Sequence, residues 1–471
     1  MALDPKTLKS IIDAHVAKAT KEHKSFDKWR AWYRSEYWGE LVDEEADGLM
    51  IENNYLYAFT DTMVASVTPP TPRVTCLPRK TDDETLLAAK YREALINGAH
   101  EILWQMSTMA SVYGRSILKS VWNFSKKRPD FLVIDPRYFF YDMTVNRWGD
   151  IRYAIEVTTL TKAEFFSRTK TRQKKRGSME YDPGIAEKVH FGSFPKWLTD
   201  GEETTAKLTQ DMRKTFEWAV VYEVYDFTND RYYHMLEGHE DPLFEGDLPY
   251  TFVRNPFKTL IFNENLSDIG GLSDSQLVER QQRRLNELDT LELRHAKSSI
   301  PITVVNEAMC DDPEDFVDQV STATSPGDVV RLRGKNAAPL SDILGQTPTS
   351  ALSPSFDSIR DRIESSIQFV LGIPEYARGV AGTTDVATEL ALVDASMRTR
   401  LGRRTKLING VIQHMARSIV GFYEEYLDSA EEIPVRVVGD QDAKIVARKH
   451  LAARDPINAD KQIRRGESVE E

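Results

Sequence analysis

Over most of its length the chain places apolar residues three and four positions apart, the period that turns one helix face toward a core. Asp4 and Pro5 mark a helix start, cap and first turn, with Leu8, Ile11, Ile12 and Val16 as its apolar face. Phe26, Trp29, Tyr33 and Tyr37 continue that spacing with Trp32 and Trp38 beside them, which reads as a helix packed on the domain surface. Leu49, Leu56, Phe59, Met63 and Val67 predict another helix, stopped by Pro69, Pro70 and Pro72. A longer one is expected from about Asp83 to Tyr113, with Leu87, Tyr91, Leu95, Ile102, Met106 and Met109 inward and Gly114 ending it.

The period then shortens. Strands are expected at Ser116 to Trp122, Phe131 to Ile134 and Ile151 to Val157, and Thr161 with Glu164 forms a capping box for a short helix. Residues 168–215, with the basic run Lys170, Arg172, Lys174, Lys175 and Arg176, read as a solvated loop. Phe216, Trp218, Val220, Tyr222 and Val224 alternate, and Arg231 to Leu236 pairs with them across Thr228-Asn229-Asp230 as a hairpin.

The C-terminal half is organised around helices. A charged one runs from about Ser273 to Ser298, its apolar content thin, with Leu277, Val278, Leu285, Leu288 and Leu291 among many charges. A helix this charged lines something wet or meets identical neighbours. Residues 299–350 form an insertion, with strands at Ile300 to Val305 and Asp328 to Leu332 and a helix at Pro313 to Val320. Phe356, Ile359, Ile363, Ile367 and Val370 mark a second helix, ended by Gly372 and Pro374. The loop Gly372 to Thr384 holds three glycines in thirteen positions. From Asp385, as N-cap, to Leu427 one apolar stripe predicts a helix of 43 residues, about 65 Å long. Gly402, Gly410 and Gly421 inside it predict a bend or close helix approach. A strand at Ile433 to Val438 and a polar tail follow.

Composition narrows the function classes. The net charge of −12 argues against a general polyanion binder. Two cysteines without CxxC spacing predict neither disulfide framework nor zinc site, and no metal or other cofactor is expected. MALDPKTLKS has no apolar signal core, and no 18-residue apolar run occurs, so neither export signal nor membrane span is expected. Gly327 and Gly334-Lys335 miss P-loop spacing and Asn336 replaces its hydroxyl; Gly271 to Ser275 fails G-x-S-x-G; His239-Glu240 lacks a second His. The chain therefore reads as no enzyme. Arg398, Arg400, Arg403, Arg404 and Lys406, five cations in nine residues of the long helix, form either an ion-pairing face or a phosphate-contact patch.

The order of these features resembles the portal proteins of tailed bacteriophages, most of all those of short-tailed phages, over about residues 25 to 430. The stretches that carry the resemblance are Asn53 to Pro72, Tyr113-Gly114 entering a strand, and Asp135-Pro136 followed by Phe139 and Asp142. They continue with Asn255-Pro256-Phe257, Gly270-Gly271 and a helix bearing Gln276, Gln281, Gln282 and Asn286, then Gly372-Ile373-Pro374 and Thr388-Glu389. The resemblance implies an α+β, predominantly helical subunit of a twelve-fold homo-oligomeric ring at one capsid vertex. Its parts would be a wing (1–265), stem helices (266–298 and 351–371), a clip (299–350), a channel loop (372–384), a long wing helix (385–428) and a short crown (429–471).

The same resemblance implies roles. Glu375, Tyr376, Arg378, Gly379 and Gly382 would face double-stranded DNA in the channel, and Arg280, Arg283, Arg284, Glu287, Arg360, Arg362 and Glu364 the channel or neighbouring subunits. Asp311, Asp312, Glu314, Asp315, Arg331, Arg333 and Lys335 would dock the terminase motor and later the tail adaptor. Major capsid and scaffolding proteins would be further partners, with no membrane; the protein would sit in the virion and, during assembly, in the host cytoplasm. Twelve copies at −12 each carry about −144, which suits a bore that DNA slides through without sticking. Two other classes compete: an intracellular hydrolase with an unrecognised site, expected as monomer or dimer, and another phage head-tail ring component.

Overall fold

The computed structural model describes residues 4–36, 51–69, 98–124, 126–169, 181–187, 189–195, 197–198, 216–266, 269–298, 303–305, 314, 318, 344–346, 355–373, 387–426, 432–435 and 444–447. Helix α1 is Pro5–Tyr33, 29 residues in one piece. Asp4 caps it, accepting from the Thr7 amide at 3.0 Å, and Pro5 takes a position whose amide has no helical partner in any case. Ser35, at φ 62°, turns the chain away. Phe26, Trp29, Trp32 and Tyr33 of the aromatic strip form the second half of α1, with Phe26, Trp29 and Trp32 buried; Tyr37 and Trp38 lie outside the described residues.

Helix α2, Tyr55–Val67, starts later than the apolar pattern, because Asn54 accepts from the Tyr57 amide at 2.8 Å and sets the boundary. Leu49 lies outside the described residues. The next helix, α3, is Ala99–Tyr113, starting after Gly98 at φ 76° and ending at Gly114 at φ 87°, so the single helix expected from about Asp83 does not pass through Gly98; Leu87, Tyr91 and Leu95 lie outside the described residues. Leu103, Met106, Ser107 and Ala110 form its buried face, and Ile102 and Met109 are only half-buried. The face is rotated from the apolar expectation because Ser107 and Ser111 are engaged in the core, by Thr68 at 3.3 Å and Asp274 at 2.7 Å.

Strands β1 (Ser116–Asn123) and β2 (Arg128–Ile134) form an antiparallel hairpin. A five-stranded antiparallel meander follows: β3 (Phe139–Tyr141), β4 (Tyr153–Thr161), β5 (Trp218–Asp226), β6 (Arg231–Leu236) and β7 (Pro242–Asp247). β8 (Phe257–Leu260) then returns to the other edge of β1. β3, β7 and β8 escape the sequence pattern; β3 and β8 are too short to show an alternation. The capping box holds, with the Thr161 amide donating to Glu164 at 2.9 Å at the start of α4 (Lys162–Thr169).

β5 is buried on both faces, so its alternation marks no wet side. Leu8, Ile12 and Ala19 of α1 pack on Val220, Tyr222 and Val224, whereas Phe165, Tyr181 and Ala186 pack on Ala219 and Val221. Tyr181, Phe194 and Leu198 correct the reading of 168–215 as loop alone: they are core anchors, and Pro183–Ala186 is a short helix, α5.

Further on come α6 (Asp274–Ser298), the antiparallel pair β9 (Thr303–Val305) and β10 (Leu344–Gln346), α7 (Ser355–Leu371), the 40-residue α8 (Ala387–Tyr426), and the pair β11 (Glu432–Val435) and β12 (Lys444–Ala447). β12 lies in what reads as polar tail. Gly372 ends α7 at φ 72°, its amide donating to Gln368 O at 2.7 Å, while Asp385 lies outside the described residues. Of the α8 glycines only Gly421 marks a close approach: a Cβ there would sit 3.1 Å from Phe252 Cβ, whereas Gly402 and Gly410 have nothing within 4 Å. Trp122 stacks on Tyr426 at 5.4 Å and Tyr250 meets Phe422 at 4.8 Å, fixing the end of α8.

The fold is mixed α+β with helix in excess. Contacts divide it into two units, one of residues 1–37, 54–279 and 368–471 and the other of 38–53 and 280–367. Among the described residues no helix is long and apolar enough to cross a membrane.

Gly114→Ala is expected to destabilise by about 2 kcal/mol or more in denaturant titration. Its Cβ would carry positive φ and sit 2.8 Å from Ser273 N. Gly98→Ala has only the φ strain and open space, so about 1 kcal/mol is expected. Acid is the second test. Burial drives the His15 imidazole down to about 4, with Lys18 adding and Asp142 and Glu22 opposing; burial also takes His414 to about 4. The folded values lie below the unfolded one near 6.5, so the unfolded chain binds protons first and stability is lost as pH falls from about 6.5 toward 4. The urea midpoint should drop across that window, and His15→Gln should flatten the slope.

Candidate functional site: three charged helices

Asp274, at the first position of α6, is the buried centre of one cluster. Arg404 of α8 grips it with two hydrogen bonds, both 2.8 Å. Ser111 of α3 adds one at 2.7 Å and Asn263 one at 2.9 Å. Burial opposes its charge, but the guanidinium and these donors outweigh that and hold the carboxyl below the usual carboxylate range. Phe262 stacks under the guanidinium at 4.9 Å. Backbone approaches complete the joint: a Cβ on Gly271 would meet Gly114 O at 2.5 Å, so only glycine fits there.

In the other unit, α6 buries a polar face. Gln282, Asn286, Asp289 and Thr290 recur at helical spacing and are buried. The Asn53 amide donates to Asn286 at 3.2 Å, the Ile51 amide to Thr290 at 3.2 Å, and the Asn53 side chain to Asp289. Arg360 of α7 reaches Asp289 at 2.8 and 3.0 Å and also pairs with Glu292. Arg360, expected at channel or neighbour, is therefore used inside its own chain.

The opposite face of α6 is different. Arg280, Arg283, Arg284 and Arg294 are exposed on one stripe with Leu291, and Glu287 is half-buried between them. Arg284 pairs with Glu287 at 3.3 Å; among the described residues no ion pair engages Arg280, Arg283 or Arg294. On α7, Arg362 is exposed, Glu364 is half-buried, and Ile367 is the buried residue.

The five α8 cations do not share one role. Arg404 turns inward to Asp274. Arg400 donates to Phe369 O at 2.7 Å and stacks on that ring, and Arg403 pairs with Glu264 at 2.9 Å on the surface. Arg398 and Lys406 are exposed. The channel-loop residues Glu375, Tyr376, Arg378, Gly379 and Gly382 lie outside the described residues, as do Asp311, Asp312, Asp315, Arg331, Arg333 and Lys335 of the docking set; Glu314 is exposed.

Two other clusters have catalytic residue types. Lys119 is buried against Glu156 and Glu223, and Glu223 accepts from Tyr232 at 3.0 Å, which meets His234 at 2.7 Å. Burial opposes the Lys119 charge, yet the two carboxylates hold its pKa well above the usual lysine range. This network is closed within the sheets. The cleft lined by Lys9, Asp13, Tyr222, Glu237 and His239 has a volume of about 50 Å³, too small for a metabolite, whose sites run to some hundreds of Å³. Among the described residues no three His, Cys, Asp or Glu groups are set to hold a metal.

Sequence reasoning did not single out Asn53, Ser111, Asn263 or Asp274 as structural centres. The signal was present in α6: its polar residues, and not only its leucines, follow the three-four period. No protein-family model matches the chain, and no curated protein matches it.

Arg404→Met should cost about 3–5 kcal/mol in denaturant titration, because it leaves Asp274 charged, buried and unpaired. Adding Asp274→Asn should recover part of that loss, whereas Lys406→Ala on the exposed side should shift stability by less than about 0.5 kcal/mol.

Proposed function

We propose that this chain is a subunit of a portal ring, the conduit at a single capsid vertex through which double-stranded DNA is packaged and ejected in a tailed bacteriophage. The observation that carries the proposal is a pair of amphipathic helices that each leave large apolar residues in solvent. In α7, 17 residues long, Ile359 is 46% and Phe369 78% exposed. In α6, Leu277 is 38% and Leu291 54% exposed, among arginines. A monomer leaves that surface wet, whereas identical neighbours in a closed ring cover it.

The order of elements supports the same reading: charged helix, the β9–β10 pair, second helix and 40-residue helix, the last two joined by a glycine-rich stretch of sequence. In this function the chain has no reaction to catalyse. The ring passes the duplex, docks the terminase motor and then the tail adaptor, and meets capsid and scaffolding proteins at its rim. The acidic balance keeps DNA from adhering.

Mass photometry of the purified chain with negative-stain images tests this. The expected particle is a ring with an open centre near 646 kDa, twelve subunits of 53.8 kDa. A species of one or two subunits at every concentration and salt would refute the ring.

A further inference from the structure

We propose that the arginine stripe of α6 in one copy docks against the acidic edge of α7 in a second copy, making a head-to-tail interface. The inference rests on the ring reading and deepens it by naming the two surfaces that meet. Helical geometry sets them apart within one chain. Arg280 precedes Asp289 by nine residues, which at 3.6 residues per turn is two and a half turns, so it lies on the face opposite Asp289. Asp289 is the residue that α7 grips through Arg360. Arg280 and Arg283 thus face away from their own α7.

Helix α7 carries the matching charge. Asp357 and Asp361 are exposed one turn apart. Asp357 reaches Arg360 only at 3.6 Å, and among the described residues Asp361 has no ion pair. The α6 side also offers an apolar anchor within the arginine stripe, Leu291 at 54% exposure. Exposed leucine set among arginines is the composition of a protein interface core and its edge, and phosphate binding has no use for it. Arg280, Arg283 and Arg284 crowd like charges on one helix face, a repulsion that an opposing carboxylate row relieves. The two surfaces are different, so the contact is heterologous and propagates from copy to copy until it closes.

Charge exchange in the full chain tests this. Arg280→Glu with Arg283→Glu, and separately Asp357→Lys with Asp361→Lys, should each lower the ring fraction at micromolar protein by at least about tenfold. The four substitutions together should restore it, because the exchanged faces again match. Far-ultraviolet circular dichroism and melting of all three variants check folding; an arginine-to-glutamine version of the first, with weaker loss, keeps the test valid if glutamate disturbs the helix. Rings unaffected by either double variant would overturn the interface and leave the ring reading standing. Failure of the fourfold variant to restore rings while folded would also overturn it. A third overturning result is intact rings that lose binding to a 30-base-pair duplex on arginine reversal, which would assign the stripe to phosphate. A wild-type chain that never forms rings would instead refute the ring reading itself.

Discussion

The buried Arg404–Asp274 pair is the contact on which three helices depend. A carboxylate at the start of α6 is favoured by the helix dipole but not by burial. It stays ionised because a bidentate guanidinium from α8, a hydroxyl from α3 and the Asn263 amide all converge on it. Such a pair is a poor source of net stability, since desolvation consumes most of the Coulomb gain. Its use is geometric: hydrogen bonds from α8, α3 and Asn263 meet at the start of α6. Gly114 and Gly271 serve the same joint by letting backbones approach where a Cβ would collide.

Helix α6 inverts ordinary amphipathicity. Beside Val278 and Leu285 its buried face carries amides and a carboxylate bonded by Asn53, Ile51 and Arg360, and its exposed face combines arginine with leucine. Buried amides demand specific partners and so fix geometry. An exposed leucine among cations gains nothing from water. The helix is thus held by hydrogen bonds on one side and leaves the other exposed.

Much of the fold was legible in the chain. The Asp4 cap, the Thr161–Glu164 capping box, the β5–β6 hairpin, the Gly114 and Gly372 stops and the extent of α6, α7 and α8 all rest on interactions within a few residues, where spacing and geometry are linked directly. The α2 boundary was displaced because a single side-chain cap outweighs an apolar residue several positions earlier. The face of α3 was rotated because Ser107 and Ser111 are buried by partners distant in sequence. Tyr181, Phe194 and Leu198 looked like parts of a polar loop because their neighbours are charged, although the sheet beneath them supplies the core.

The candidate site divides along the same line. That α8 carries five cations and α6 a row of arginines is a property of the residues and their spacing alone, as is the rod-like length of α8. Which cation turns inward was a matter for the tertiary structure. Arg404 and Arg403 are adjacent and chemically alike, yet one is locked on Asp274 and the other pairs at the surface with Glu264. Helical period fixes the angle between two side chains but not the direction of the core, which depends on where α3, α6 and the turn before α6 arrive. Periodicity determined the helices of this protein; long-range burial decided what each face does.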